Sequence, residues 1–335
     1  MAGLLDRNLD DPKYMKIGFI GLGSIAEKHM KTIHSLFGDT DFFVVTQREN
    51  YPSMPDIFPI YLRDIESLLA SQPDFIAITN AANDRLETIK HLKDSLVPIL
   101  IEKPLARTVR EAGLVLREVE KKSHPAVVGY NLRFTDGIEC VKRLLTDQII
   151  GDILHASCVV GQSLEQWRPG RDFKQTVSAS RQRGGGVLRE LSHEFDYLTY
   201  LFGPMKICSG FLATRLYKDL DVEDVAHVHL SLGSDGQAVP CSVIMDFVRH
   251  DPVRKVEFVG SDGTLAWNIL DGRVDISGKG DVKKSWLNKP EDLQDSYQKM
   301  WSAFLYGQYH KFASPREASL VIDSVAKIEE LATVS

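Results

Sequence analysis

The chain has 335 residues, 43% apolar and 26% charged, more than one hydrophobic core usually holds and ordinary for a soluble two-domain protein. A net charge of −6 argues against a general nucleic-acid or membrane partner, since both favour a basic surface. No apolar run approaches the roughly 20 residues that cross a bilayer. Residues 1–14 lack the basic start and apolar middle of a secretory signal, so a cytoplasmic protein is expected. Cys140, Cys158, Cys208 and Cys241 are scattered with no close pair, which reads as reduced thiols rather than disulfides or a zinc site.

Residues 16–20 form a short apolar strand candidate that runs straight into Gly21-Leu22-Gly23-Ser24-Ile25-Ala26. A helical stretch follows to about Phe37, and residues 42–46 read as a second strand. The unit has the length of a strand–helix–strand crossover. In a dinucleotide site, Gly21 permits the tight turn, Gly23 lets backbone approach a pyrophosphate, and Ala26 meets the need for a small third residue. Ser24 and Ile25 would present first-turn amides to the anion. By itself the pattern also fits a plain tight turn into a helix.

The alternation continues through a helix near residues 64–70, a strand at 74–79, a helix near 83–93 and a strand at 97–101. Such alternation predicts a parallel sheet with helices on both faces, whose ligands bind beyond the carboxyl ends of the strands. Three strand ends meet there: Gly21-Leu22-Gly23, Thr79-Asn80 and Glu102-Lys103-Pro104. Thr79, Asn80, Glu102 and Lys103 therefore join the cofactor-binding candidates. The end of the second strand reads Thr46-Gln47-Arg48-Glu49. An acidic residue there suits the ribose of NAD and an arginine suits the 2′-phosphate of NADP. Arg48 favours NADP over NAD; the competing reading gives Glu49 to the ribose and leaves Arg48 as a solvated charge.

Thr108 and Glu111 are placed to open a helix as a capping box, after which a domain boundary falls near residues 121–125, giving domains of 1–123 and 124–335. Residues 223–280 show strand-like runs broken by turn signals at 234–236, 261–263 and 271–272. A last helix starts at Ser314-Pro315-Arg316-Glu317, and its stripe of Ala318, Val321, Val325, Ile328 and Ala332 reads as a packing face.

The runs IGFIGLGSIAEKHM, QPDFIAITNAAND, ILIEKPLA, VGYNLRF, RGGGVLRELSHEFDYLTYLFG and VEFVGSDGTLAW, in this order, resemble the Gfo/Idh/MocA family of glucose–fructose oxidoreductase, inositol dehydrogenase and MocA-like proteins. The resemblance implies an α/β fold: an N-terminal Rossmann parallel sheet, then an α/β domain on a large, mostly antiparallel sheet. It implies that Lys103 faces the nicotinamide and the reacting substrate carbon, that Pro104 behind it takes a cis bond, and that His193 contacts the reacting hydroxyl as a proton shuttle. Lysine and histidine are both suited to acid–base work. Inositol-type members carry an aspartate four residues before that histidine; this chain has Arg189 there and Glu190 three before, which points to a substrate other than plain inositol.

The basic stretch Trp167-Arg168-Pro169-Gly170-Arg171-Asp172, followed by Lys174, Arg181, Arg183 and Arg189, suits carboxylate or phosphate recognition, with Trp167 able to stack on a sugar or base. A solvated loop is the bland alternative. Trp167, Arg168, Arg189, Glu190 and Arg133, the last in VGYNLRF, are the substrate-binding candidates. His227 and His229 share a strand face, but no third metal ligand is evident beside them, and His29 reads as structural. The expected activity is hydride transfer between a nicotinamide and a hydroxyl or carbonyl of a sugar derivative, anionic or nucleotide-linked. A redox-neutral NAD-dependent glycoside-processing enzyme and a nicotinamide-binding regulator stand as alternatives. The expected partners are the small sugar-type substrate and further copies of the chain in a homodimer or homotetramer.

Overall fold

The computed structural model describes residues 15–38, 40–121, 124–167, 172–233, 238–278, 283–288 and 293–334. Its first part runs β1 (Lys16–Ile20), α1 (Ser24–Phe37), β2 (Asp41–Val45), β3 (Ile60–Leu62), α2 (Ile65–Ala70), β4 (Phe75–Ile78), α3 (Arg85–His91), β5 (Ile99–Glu102), α4 (Val109–Glu120) and β6 (Ala126–Gly129). The six strands pair in parallel in the order β3-β2-β1-β4-β5-β6. Every residue of β4 and of β5 is buried, as expected of strands covered by helices on both faces. Two helix starts follow sequence logic: Asp64 accepts from the Ser67 amide ahead of α2, and Thr108 accepts from the Glu111 amide ahead of α4. The reciprocal half of the second box shifts by one residue, because the Glu111 carboxylate takes the amide of Arg107.

A 3₁₀ turn at Asn131–Phe134 leads into α5 (Asp136–Thr146), β7 (Ile153–Gly161), α6 (Leu164–Trp167), α7 (Val187–Glu190), α8 (His193–Phe202), β8 (Met205–Ala213), β9 (Val225–Leu232), β10 (Val239–Asp246), β11 (Val253–Gly260), β12 (Gly263–Asn268), β13 (Arg273–Gly278) and β14 (Lys283–Asn288). The chain closes with α9 (Leu293–Leu305), α10 (Pro315–Leu331) and β15 (Ala332–Val334). Strands β7–β15 form a nine-stranded sheet in the order β14-β13-β12-β11-β7-β10-β9-β8-β15. Two pairings, β10 with β7 and β15 with β8, are parallel and the others antiparallel. Burial alternates along β9, so one face of the sheet carries the core. Trp267, Phe258, Tyr197 and Phe195 are fully buried there. The turn signals at 261–263 and 271–272 join β11 to β12 and β12 to β13; the one at 234–236 lies outside the described residues.

The first compact unit reaches Asn131 and takes back Gln294–Ser319; the second holds Leu132–Leu293 and resumes at Leu320. This differs from the boundary near residue 123 read from sequence. The reason is β6, whose register Ile99↔Ala126 to Glu102↔Gly129 completes the parallel sheet, with a bridge from Val128 to Ala313 tying in the returning chain. Ser314 and Glu317 form the complete capping box, each amide bonded to the other's side chain at 2.9 and 3.2 Å. Ala318, Val321, Val325 and Ile328 are buried along α10, whereas Ala332 has left the helix to pair with Gly210 of β8. Among the described residues no helix is long and apolar enough to cross a membrane.

Candidate dinucleotide site and acid–base residues

The glycine turn after β1 is built for close approach. Gly21 has φ +105°, and a Cβ there would stand 2.5 Å from the amide nitrogen of Asn80. Thr79 stitches the same junction, its hydroxyl donating to the Gly21 carbonyl at 2.8 Å and its amide to the Ile20 carbonyl at 2.9 Å. Thr79 therefore shapes the turn through main-chain contacts. At Gly23, by contrast, a Cβ would meet nothing within 4 Å. Gly23 is the N-cap of the 14-residue α1 and offers no side-chain cap, so the first-turn amides from Ser24 and Ile25 onward, with the positive end of the helix dipole, suit an anionic ligand. Ala26 is fully buried, as close packing of helix on strand requires. These residues fit a dinucleotide pyrophosphate.

At the end of β2, Thr46 is buried and accepts from the Arg48 amide, while Gln47, Arg48 and Glu49 are exposed. The Gln47 amide donates to the Arg63 carbonyl at 2.8 Å, which brings the backbone of a second arginine to this strand end. Arg63 follows β3, a three-residue strand with no clear local signal in the sequence. Beside it the rings of Tyr51 and Tyr61 stack at 3.7 Å.

The end of β5 holds the third element. Lys103 is half-buried and the Lys103–Pro104 peptide is cis. Glu102, grouped with the cofactor contacts in the sequence reading, is 6% exposed and turned to the protein: one carboxylate oxygen meets His29 Nε2 at 2.8 Å and the other accepts from the Lys103 amide at 3.0 Å. Asn80 donates through its amide to Thr88 at 2.8 Å. Arg85, which sequence reasoning did not single out, lies 3% exposed with Nη2 3.4 Å from the carbonyls of both Asn80 and Lys103. Burial lowers its guanidinium to about 10, opposed by Glu102 and Tyr130, so it remains a cation at neutral pH.

In the second unit, His193 opens α8 and is half-buried. The glycines ahead of it fold that start. Gly184 is left-handed; a Cβ on Gly185 would stand 2.2 Å from the Val177 carbonyl oxygen, and one on Gly186 2.4 Å from the Glu223 carboxylate. Glu223 in turn accepts from the Leu188 amide at 3.2 Å, and burial raises its carboxyl above the usual range. Glu194 and Asp196 point into the core. Glu194 meets Arg254 at 2.8 and 2.9 Å, and Asp196 meets Arg133 through contacts of 2.8–3.2 Å. Burial opposes the charge on Arg254, but the Glu194 carboxylate outweighs it and the guanidinium is raised.

Several substrate-binding expectations change here. Arg133, expected to meet substrate, lies in a 3₁₀ turn, is 4% exposed and is paired with Asp196. Arg189 is engaged by both oxygens of Glu329, at 2.5 and 2.9 Å. Glu190 ends α7, ahead of the helix that His193 opens, and it accepts from the Ser178 hydroxyl at 3.1 Å. Lys174 pairs with Asp219 and the Arg181 guanidinium with Glu223, while the Arg181 amide donates to the Asp221 carboxylate, the Arg181 Nε to the Asp221 carbonyl, and Arg183 to the Gln175 carbonyl. The described part of the basic stretch is thus largely neutralised by acids distant in sequence. Arg168 to Arg171 lie outside the described residues; Trp167 closes α6. His227 and His229 are exposed on β9, the latter bonded to Ser242.

A parallel sheet in this order, with a glycine turn suited to a pyrophosphate, defines a dinucleotide-binding scaffold. Residues 15–130 match the oxidoreductase family with an NAD-binding Rossmann fold, and residues 138–266 match the GFO/IDH/MocA C-terminal domain. The chain belongs to the Gfo/Idh/MocA family. It is 28% identical over 219 residues to an uncharacterized oxidoreductase of Synechocystis sp., an alignment covering 60% of this chain and 57% of that protein. It is 26% identical over 310 residues to glucose-6-phosphate 3-dehydrogenase of Bacillus subtilis, covering 82% of each. Among solved structures, levoglucosan dehydrogenase in complex with NADH and L-sorbose superposes with a TM-score of 0.79 at 17% identity, over 94% of this chain and 96% of that one.

Proposed function

We propose that the chain is an NADP-dependent dehydrogenase or reductase that acts on a hydroxyl or carbonyl of a sugar derivative. The observation that carries this reading is the glycine turn of Gly21 and Gly23, with open space at Gly23 and an uncapped helix start behind it. Gly21, Gly23, Ser24 and Ile25 would hold the pyrophosphate, and Arg48, with Arg63 beside it, the 2′-phosphate. The bound nicotinamide supplies or accepts the hydride. Lys103 and His193 then handle the substrate proton, one at the end of β5 and the other at the start of α8. A sugar substrate is supported by the relative named for glucose 6-phosphate. An anionic or nucleotide-linked substrate is the narrower proposal, resting on that phosphate and on Arg168 and Arg171 in the sequence. The exposed sheet face bearing His227 and His229 supports a dimer or tetramer, which light scattering distinguishes from a monomer.

The deciding experiment is a panel of neutral, acidic, phosphorylated and nucleotide-linked sugars with NADP and with NAD, followed by absorbance of the reduced nicotinamide. Lys103→Ala and His193→Ala should each lose about 10² to 10⁴-fold in turnover while keeping cofactor affinity. Near-normal turnover in either variant refutes its role. NAD bound as tightly as NADP refutes the assignment of Arg48, and equal use of a neutral sugar and its phosphate refutes an anionic substrate.

A further inference from the structure

A buried chain of hydrogen bonds lies behind the main chain of Lys103. Trp301 of α9 is fully buried and its indole Nε1 donates to His29 Nδ1 at 2.9 Å. His29 on α1 is also fully buried, with Nε2 2.8 Å from one Glu102 oxygen. The other oxygen of Glu102 receives the Lys103 amide. An indole nitrogen can only donate, so Nδ1 of His29 must be the acceptor. The imidazole hydrogen therefore resides on Nε2 and is given to Glu102. Both carboxylate oxygens are then acceptors with one assigned donor each. On the far side of the same residue, Arg85 Nη2 approaches the Lys103 carbonyl at 3.4 Å.

We propose that Trp301, His29 and Glu102 are positioning residues: the indole fixes the histidine tautomer, the tautomer fixes the carboxylate, and the carboxylate fixes the main chain that carries Lys103. The inference deepens the role given to Lys103 above and rests on it. All the groups lie in the first compact unit. Trp301 is 272 residues from His29, so the device exists only after the chain has returned to this unit.

The donor pattern makes a specific test possible. Glu102→Gln is nearly isosteric, but an amide offers one acceptor where two are needed. With His29 held by Trp301, the new amide N–H must face another donor. Trp301→Phe removes that hold. The hydrogen of His29 then moves to Nδ1, Nε2 accepts from the new amide, and the amide oxygen accepts from the Lys103 N–H. Hydrogen exchange at the Lys103 amide, measured on the full chain without cofactor or substrate, reads this directly. Glu102→Gln should speed exchange at Lys103 on the order of tenfold or more relative to residues 99–101. The double variant Glu102→Gln/Trp301→Phe should exchange more slowly than Glu102→Gln alone, although it carries one more core substitution. General destabilisation would accelerate all of β5 and would be worsened by the second change.

The ¹⁵N imidazole spectrum of the wild-type protein stands independently of these variants and should show the His29 hydrogen on Nε2. A hydrogen on Nδ1, unaltered exchange in Glu102→Gln, or no recovery in the double variant overturns the proposal. Near-normal turnover in Lys103→Ala would instead overturn the role of Lys103 and leave the hydrogen-bond chain standing.

Discussion

A single methyl group added at Gly21 or at Gly23 should act on different properties of the protein. At Gly21 the new Cβ lies 2.5 Å from the Asn80 nitrogen and 2.6 Å from its Cα. That backbone cannot yield easily, because the Thr79 amide and hydroxyl bind the carbonyls of Ile20 and Gly21. The φ of +105° adds strain for any residue with a Cβ. Backbone strain of about 1–3 kcal/mol and overpacking of about 1–3 kcal/mol together predict that Gly21→Ala destabilises the fold by about 2–6 kcal/mol. At Gly23, φ is −120° and no atom lies within 4 Å of the new Cβ. Gly23→Ala should cost about 1 kcal/mol or less, the difference between two N-cap residues. Gly23→Val should be nearly as stable, yet its bulk occupies the space left for a pyrophosphate, and NADPH affinity should fall at least roughly tenfold, or about 1.4 kcal/mol. Urea unfolding followed by circular dichroism measures stability, and NADPH fluorescence measures binding. Wild-type affinity in folded Gly23→Val would refute the pyrophosphate placement. Wild-type stability in Gly21→Ala would refute the close approach of the turn to β4.

Removing one partner of the buried Arg133–Asp196 pair leaves an uncompensated charge, so Arg133→Met should cost about 3–5 kcal/mol in urea unfolding, and Arg133→Met/Asp196→Leu should regain most of it. Unchanged stability with a raised KM would return Arg133 to the substrate. Of the four cysteines only Cys208 is exposed. Burial pushes the Cys241 thiol up to about 12 and the Cys158 thiol well above its usual value, and raises Cys140. A disulfide reagent at mildly alkaline pH should therefore find one fast thiol in the native chain, lost in Cys208→Ser, and four after unfolding. A fast thiol remaining in that variant would refute the burial argument.

The sequence by itself determined the features that are local. The strand–glycine turn–helix at residues 16–37, the capping box at Ser314 and the polar residues at the ends of β4 and β5 follow from spacing and side-chain chemistry within a few residues. The Rossmann sheet is legible for the same reason, since its strands and helices alternate along the chain. Tertiary structure alone decided where charges and hydrogen bonds end. Arg189 looked available beside His193, but its partner Glu329 is 140 residues away, and Arg133 turns inward to an aspartate 63 residues on. Glu102 looked like a ligand of the cofactor, yet it is turned to a histidine on α1 that a tryptophan from α9 holds in one tautomer. A side chain's charge can be read from sequence, but whether it is spent on a partner depends on which distant segment folds against it.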